Sequence, residues 1–181
     1  EIKGFTTQVT KWKELLLTRR SKRIRPGTDT KIIASWNALT AKGLLEAYKT
    51  FKNPRYLQSA EKCLSFLLNT LRKESTLYHS YLDVLGHEGF LEDYAFTIEA
   101  CLLAYQVTGN EYYLQTGQDL CKHTLETFSI QDSPFLNFSS TTRLQIENDD
   151  NVLPSPNSTM ALNLFTLGTL LDNQEYIDHS R

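Results

Sequence analysis

No charge of either sign dominates this chain. Nineteen Lys and Arg stand against twenty-one Asp and Glu, a net charge of −2 with a pI near 6.1. That balance gives no general attraction to nucleic acid or anionic lipid, so neither a nucleic-acid nor a membrane partner is expected. Long apolar runs are missing too. The most apolar stretch, Met160–Leu171, is interrupted by Asn163, Thr166, Gly168 and Thr169 and is too short to span a bilayer. The opening residues, EIKGFTTQ, do not have the layout of a signal peptide. Cysteine is scarce: Cys63, Cys101 and Cys121 form no CxxC, their number is odd, and each falls among apolar neighbours. They read as buried free thiols in a reducing compartment, so a cytoplasmic location is expected, with no bound metal and no cofactor. The 40% hydrophobic and 22% charged content over 181 residues is that of one soluble globular domain, or a piece of one.

What is present is a repeat. NPRYLQSA begins at Asn53, NEYYLQTG at Asn110 and NQEYIDHS at Asn173, spaced 57 and 63 residues apart. Asn is a strong N-cap, and Pro54 suits the first helical position, where its missing N–H is not wanted. Each Asn therefore starts a helix. From Asn53, Tyr56, Leu57, Ala60, Cys63, Leu64, Leu67, Leu68 and Leu71 recur at i, i+3, i+4 spacing over a polar opposite face. The helices before each Asn differ in kind. Ile32–Phe51 carries only Lys42, Glu46 and Lys49 as charges, Tyr94–Thr108 only Glu99, and Pro156–Leu171 none. A helix that is apolar nearly all round must be covered nearly all round.

The predicted architecture is all-α: inner helix, tight turn, outer helix, three times over. A leading helix spans about 8–21, and hairpins span about 30–72, 90–128 and 156–181. The period exceeds that of two-helix solenoids, roughly 34–47 residues. The excess lies in the outer-to-inner connections, Lys73–Gly89 and Ser129–Leu153. Each offers a short hairpin, at Leu77–Tyr81 and at Phe135–Phe138 with Leu144–Ile146. Long ordered connections are usually functional, and both arrive at the N-terminal ends of the inner helices.

The repeat also serves as a ruler. Sixteen residues before each Asn stand Asn37, Tyr94 and Asn157; seventeen before stand Trp36, Asp93 and Pro156. ASWN, LEDYA and PSPNS therefore share one level, and their polar groups need partners. Ser155, Asp93 and Asn157 either cap and pack, or bind a ligand at helix N-termini whose N–H groups are available.

RRSKRIRPGTDTKIIASWNALTAKGLLEAY (19–48), GFLEDYAF (89–96) and LPSPNS (153–158) resemble conserved blocks of the YyaL / spermatogenesis-associated protein 20 family. The resemblance spans nearly the whole chain. It implies an (α/α)6 toroid of the six-hairpin glycosidase type, similar to that of N-acylglucosamine and cellobiose 2-epimerases, of which this chain would be about half. It also implies an attached N-terminal thioredoxin-like domain as a partner in the full-length protein. The positions carried over are Arg20, Arg23, Arg25, Pro26, Asp29, Lys31, Trp36, Asn37, Leu91, Asp93, Tyr94, Pro154, Ser155, Asn157 and Ser158. Thr30, Ala38 and Pro156 depart from the family pattern, and Thr30 removes a carboxylate.

A toroid of this kind surrounds a pit suited to a sugar, where aromatic faces stack on rings while carboxylates and amides bind hydroxyls. Trp36, Asn37, Tyr94, Asn157, Ser155, Arg23, Arg25, Lys31 and Asp29 are the substrate-binding candidates, for a sugar or sugar phosphate. Asp93, Glu92 and His87 are the catalytic candidates. Glycoside hydrolysis would need a carboxylate pair, with Asp93 as one member and Glu92, Asp29 or Asp83 as the other. Epimerisation would need a base beside a carbonyl, and His79 and His87, close to Asp83, Glu88, Glu92 and Asp93, form the richest titratable cluster. The rival reading is a non-catalytic scaffold that holds a protein partner on the same face. The inner helices exposed along a half-toroid's edges predict self-association.

Overall fold

The computed structural model describes residues 2–141 and 144–181. The chain forms two compact units, Glu1–Thr30 and Lys31–Arg181. In the first, α1 runs Ile2–Ser21, starting six residues before the predicted Gln8. Gly4 is the weakest helix former among the added residues, and a single interior glycine costs only about 1 kcal/mol. Arg19 and Arg20 occupy the last turn of α1, where cations complement the helix dipole.

The second unit is built of three helical hairpins: α2 (Ala34–Phe51) with α3 (Pro54–Phe66), α4 (Leu91–Thr108) with α5 (Glu111–Phe128), and α6 (Pro156–Leu171) with α7 (Gln174–His179). A π-helical turn, Leu67–Leu71, extends α3. The three ruler residues act as predicted. Asn53, Asn110 and Asn173 accept the backbone N–H of Arg55, Tyr112 and Tyr176 through their side chains. Each inner helix ends in a left-handed residue, Lys52, Gly109 or Asp172, whose N–H bonds back to a carbonyl four residues earlier.

Packing follows charge. The middle inner helix, α4, lies against α2, α5 and α6, and most of its residues are buried. The 57-residue spacing reappears as physical contact between inner helices. Ser35 donates to Glu92, and Lys42 pairs with Glu99 at 2.6 Å, both pairs being 57 residues apart. At the other flank Asn163 reaches across from α6 to donate to the Ala95 carbonyl of α4.

The connections hold more β-structure than the sequence suggests. Ile32–Ile33, expected to open the first inner helix, forms a strand, β1, and the helix starts at Ala34. Two adjacent β-branched residues favour an extended backbone, and a partner is at hand. β2 (Arg72–Lys73) pairs with β3 (Thr76–Leu77), and β4 (Ser80–Leu82) pairs with both β5 (Val84–Leu85) and β1. The single hairpin expected at Leu77–Tyr81 is thus two small ones. In the second connection Phe138 N–H donates to the Gln145 carbonyl, and Ser129 bridges Leu136, without a regular ladder among the described residues. The turn of that expected hairpin, 142–143, lies outside the described residues.

α6 and α7 pack tightly at Gly168. A Cβ there would fall 2.6 Å from Ile177 Cγ1 and 2.9 Å from the Asn173 carbonyl oxygen, whereas one on Gly43 of α2 would meet nothing within 4 Å. Gly168→Ala should therefore lower stability by about 1–3 kcal/mol through overpacking. Gly43→Ala should leave it unchanged or raise it by up to about 1 kcal/mol. Urea denaturation of the two variants beside the wild type measures both.

Candidate functional site

The first turn of a helix has four backbone N–H groups with no partner inside the helix. In α2 two of them turn to the neighbouring hairpin: Ala34 N–H donates to the His79 carbonyl at 2.8 Å, and Ser35 N–H to Asp93 Oδ1 at 2.9 Å. Asp93, at the third position of α4, also reaches back to its own helix start, where Oδ2 accepts Phe90 N–H at 2.9 Å. The same oxygen lies 2.9 Å from His79 Nδ1. One fully buried carboxylate thus gathers three N–H groups, from α2, from the entry to α4 and from the first long connection. Gly89 allows this closeness, since a Cβ there would sit 3.1 Å from the Leu77 carbonyl and 3.3 Å from Asp93 Cβ.

Glu92 lies beside it, half-buried, and accepts the Ser35 hydroxyl at 3.1 Å. Burial first, then the neighbouring Asp93 charge, raise its pKa above the ordinary carboxylate value, against the lowering effect of the Ser35 hydrogen bond. The His79 pKa is raised as well. Its hydrogen bond to Asp93 is the main cause, partial burial opposes it, the Asp93 and Glu92 charges add to it, and Lys31 subtracts. The imidazole of His79 stacks on that of His87, with centroids 4.8 Å apart and planes 9° from parallel. Phe90 packs against both rings and stacks in turn on Phe138 of the second connection. One oxygen or nitrogen from each of His79, Glu92 and Asp93 falls within a 4.8 Å span, a spacing a cation could bridge. Here Asp93 and His79 satisfy one another and Glu92 is bonded to Ser35.

The second connection is fixed in the same manner. Leu91 N–H donates to the Phe138 carbonyl, and two residues away Leu136 N–H donates to Asn157 Oδ1 at 2.8 Å. Asn157 Nδ2 donates to the carbonyls of Leu136 and Glu147. Ser155 caps α6 by accepting Ser158 N–H, and it donates its hydroxyl to the Glu147 carbonyl. The three inner-helix starts therefore stand at one end of the second unit. Ser35 and Asp93 join the first two, and the Leu136–Phe138 segment joins the second to the third.

The candidate residues divide by exposure. Asp93, Tyr94 and Ser155 are buried, and the Tyr94 hydroxyl accepts Leu77 N–H at 2.9 Å. Asn37, half-buried, donates to the Ile33 carbonyl inside its own helix start, and Asn157 is half-buried between its loop partners. Trp36, 59% exposed, and His87 and Lys31 face solvent. Arg23, Arg25 and Asp29 are exposed residues of the first unit. A groove of about 710 Å³ between α5, α6 and α7 is bordered by Asn157 and by no other candidate. Sequence reasoning placed His87 among the catalytic groups and left His79 as a neighbour, although His79 is the histidine bonded to Asp93. Ser35 it missed altogether, yet the 57-residue spacing from Glu92 marked it.

No protein-family model matches the chain. Among curated proteins it is 31% identical over 176 residues to "Uncharacterized protein B0495.5" of Caenorhabditis elegans, covering 91% of this chain and 24% of that protein. It is 25% identical to human spermatogenesis-associated protein 20, covering 98% of this chain and 25% of that one. The chain thus spans about a quarter of the length of the curated relatives it matches. Among solved structures it is similar to a GH76 α-mannanase of Bacteroides thetaiotaomicron, with TM-score 0.71 and 18% identity over 84% of this chain and 43% of that one. It also resembles an unsaturated glucuronyl hydrolase specific for heparin (TM-score 0.68, 16%, covering 86% and 46%) and the cellobiose 2-epimerase of Spirochaeta thermophila (0.63, 14%, 83% and 42%). At such identities the likeness shows the fold: a portion of an α/α toroid of the six-hairpin glycosidase kind. Among the described residues no helix is long and apolar enough to cross a membrane.

Two stability predictions follow from the Asp93 cluster. Asp93→Ala strands buried N–H groups of Ser35 and Phe90 and should cost about 2–4 kcal/mol by chemical denaturation. His79 and Glu92 both bind protons more tightly folded than unfolded, so their contribution to stability falls as pH rises. The Glu92 part is present below its unfolded value near 4.5, the His79 part below 6.5, and each is lost as pH passes the raised folded value. His79→Gln should flatten the upper portion of a stability–pH curve.

Proposed function

We propose that the inner-helix N-termini carry a carbohydrate-binding face in a carbohydrate-active region of the full-length protein. The observation that carries this reading is the partly buried Ser35–Asp93–His79–Glu92 cluster, with Trp36 and His87 exposed beside it in sequence or in space. Indole and imidazole faces suit the apolar face of a sugar ring, and the carboxyl and amide groups of Glu92 and Asn37 suit its hydroxyls. The fold shared with a mannanase, a glucuronyl hydrolase and a 2-epimerase supports the substrate class without fixing the reaction. A sugar phosphate is included in the proposal, with Lys31 as the cationic candidate of this unit. A cytoplasmic location belongs to it as well, in keeping with three unpaired cysteines.

A second reading is favoured by the hydrogen bonds themselves. Asp93, Tyr94, Ser155 and Asn157 all spend their polar atoms on holding the two connections in place. On this reading the same face is a rigid platform for a protein partner or for the attached thioredoxin-like domain. A binding screen of neutral sugars and sugar phosphates against the full-length protein separates the two. Carbohydrate function predicts at least one ligand whose affinity drops about fivefold in Trp36→Ala, the loss of a stacking contact worth roughly 1 kcal/mol. A screen in which nothing binds supports the platform.

A further inference from the structure

We propose that His79 is the proton-transfer group of this site, held in one tautomer by Asp93, and that its substrate is a sugar with a free carbonyl rather than a glycoside. The inference rests on the carbohydrate reading above and extends it from a binding face to a reaction class.

Asp93 cannot itself act on a substrate. Its two oxygens already accept Ser35 N–H, Phe90 N–H and His79 Nδ1, and the residue is fully buried. It has no path to a sugar carbon. Glycoside hydrolysis needs two carboxyl groups facing the scissile bond, roughly 5–5.5 Å apart for retention or 6.5–9.5 Å for inversion. Glu92 and Asp93 have oxygens within 4.8 Å of each other, and only Glu92 is turned even partly toward solvent. This pair does not make a hydrolase.

The same hydrogen bonds prepare His79 for another task. With the Nδ1 proton given to Asp93, the Nε2 lone pair is left as the basic position of the ring, and Nε2 has no hydrogen-bond partner among the described residues. The His79 side chain is 20% exposed, while stacking on His87 and Phe90 fixes the ring plane. Asp93 is thus a positioning residue in the sense of a carboxylate behind a catalytic imidazole. The charged or titratable groups around the imidazole are Asp93, Glu92, Lys31 and the ring of His87.

The reaction this arrangement serves balances without any co-reactant. Nε2 takes the proton from the hydroxyl-bearing carbon next to the carbonyl. The released C–H electron pair forms the carbon–carbon double bond, and the carbonyl π pair moves to its oxygen. That oxygen takes a proton from the carboxyl of Glu92, giving an enediol. Return of a proton to the same carbon yields the starting sugar or its epimer. Return to the adjacent carbon yields the aldose–ketose isomer, and Glu92 recovers its proton from the collapsing enediol.

The test follows the C2 proton of reducing hexoses and disaccharides by ¹H NMR in D₂O with the full-length protein, beside direct binding of the same sugars. The expected result is loss of the C2 signal. His79→Gln should slow it at least about 100-fold with binding retained, as for removal of a general base, while His179→Gln exchanges at the wild-type rate. Asp93→Asn should lower the rate and move its pH profile to lower pH. Should that variant unfold, ¹⁵N NMR of the wild type replaces it, with Nδ1 of His79 expected to be the protonated nitrogen. A sugar that binds without exchange, or exchange that survives His79→Gln, overturns this inference and leaves the carbohydrate reading standing. A protonated Nε2 with a bare Nδ1 also overturns it. Absence of binding by every sugar overturns both.

Discussion

A carboxylate with no solvent exposure sits at the start of the most deeply buried helix among the described residues. Removing such a group from water costs several kcal/mol unless polar partners replace the lost hydration. Asp93 has three, and none is a mobile side chain at the end of a long stem: two are backbone N–H groups and one is an imidazole. The partners come from three different segments, so satisfying the carboxylate also sets the level of α2 against α4 and lays the first long connection across both. The desolvation requirement is what makes this end of the hairpin array rigid.

The rest of the second unit is arranged around the same constraint. α4 can be apolar because α2, α5 and α6 cover it. The two long connections cannot fold alone, having only two- and three-residue strands and isolated bridges. They are held by the groups the inner helices leave unpaired at their starts: Ala34 in α2, Leu91 in α4, and the side chain of Asn157 in α6. Loop order and helix termination are two sides of one set of hydrogen bonds. A surface prepared in this way can present Trp36, Glu92, His79 and His87 in fixed relation to one another.

Much of this was legible in the sequence, because the repeat is written in groups whose physical role is local. An Asn followed by a helical run caps a helix wherever it stands, and three such caps gave the hairpin boundaries and the level of the inner-helix starts. The same 57-residue spacing separates the cross-helix pairs Ser35–Glu92 and Lys42–Glu99, which only the structure brought out. What the sequence concealed depends on partners distant along the chain. Ile32–Ile33 becomes a strand because Ser80 and Tyr81 lie opposite it. His79 rather than His87 meets Asp93 because of how the β4–β5 turn folds back, which no local pattern encodes. Trp36 and Tyr94, one register apart on the ruler, end on opposite sides of the exposure scale because α2 is flanked on one side and α4 on both. The resemblance to the YyaL / spermatogenesis-associated protein 20 family pointed to the fold that the comparisons with toroidal carbohydrate enzymes show.

The central claim, that one buried carboxylate joins two helix starts and a loop, is tested most directly by amide hydrogen exchange. The N–H groups of Ser35 and Phe90 should both exchange slowly in the wild type and should lose protection together in Asp93→Asn, while amides at the far ends of α2 and α4 keep theirs. Protection of Ser35 and Phe90 that is unaffected by the substitution, or lost at one and kept at the other, would contradict it.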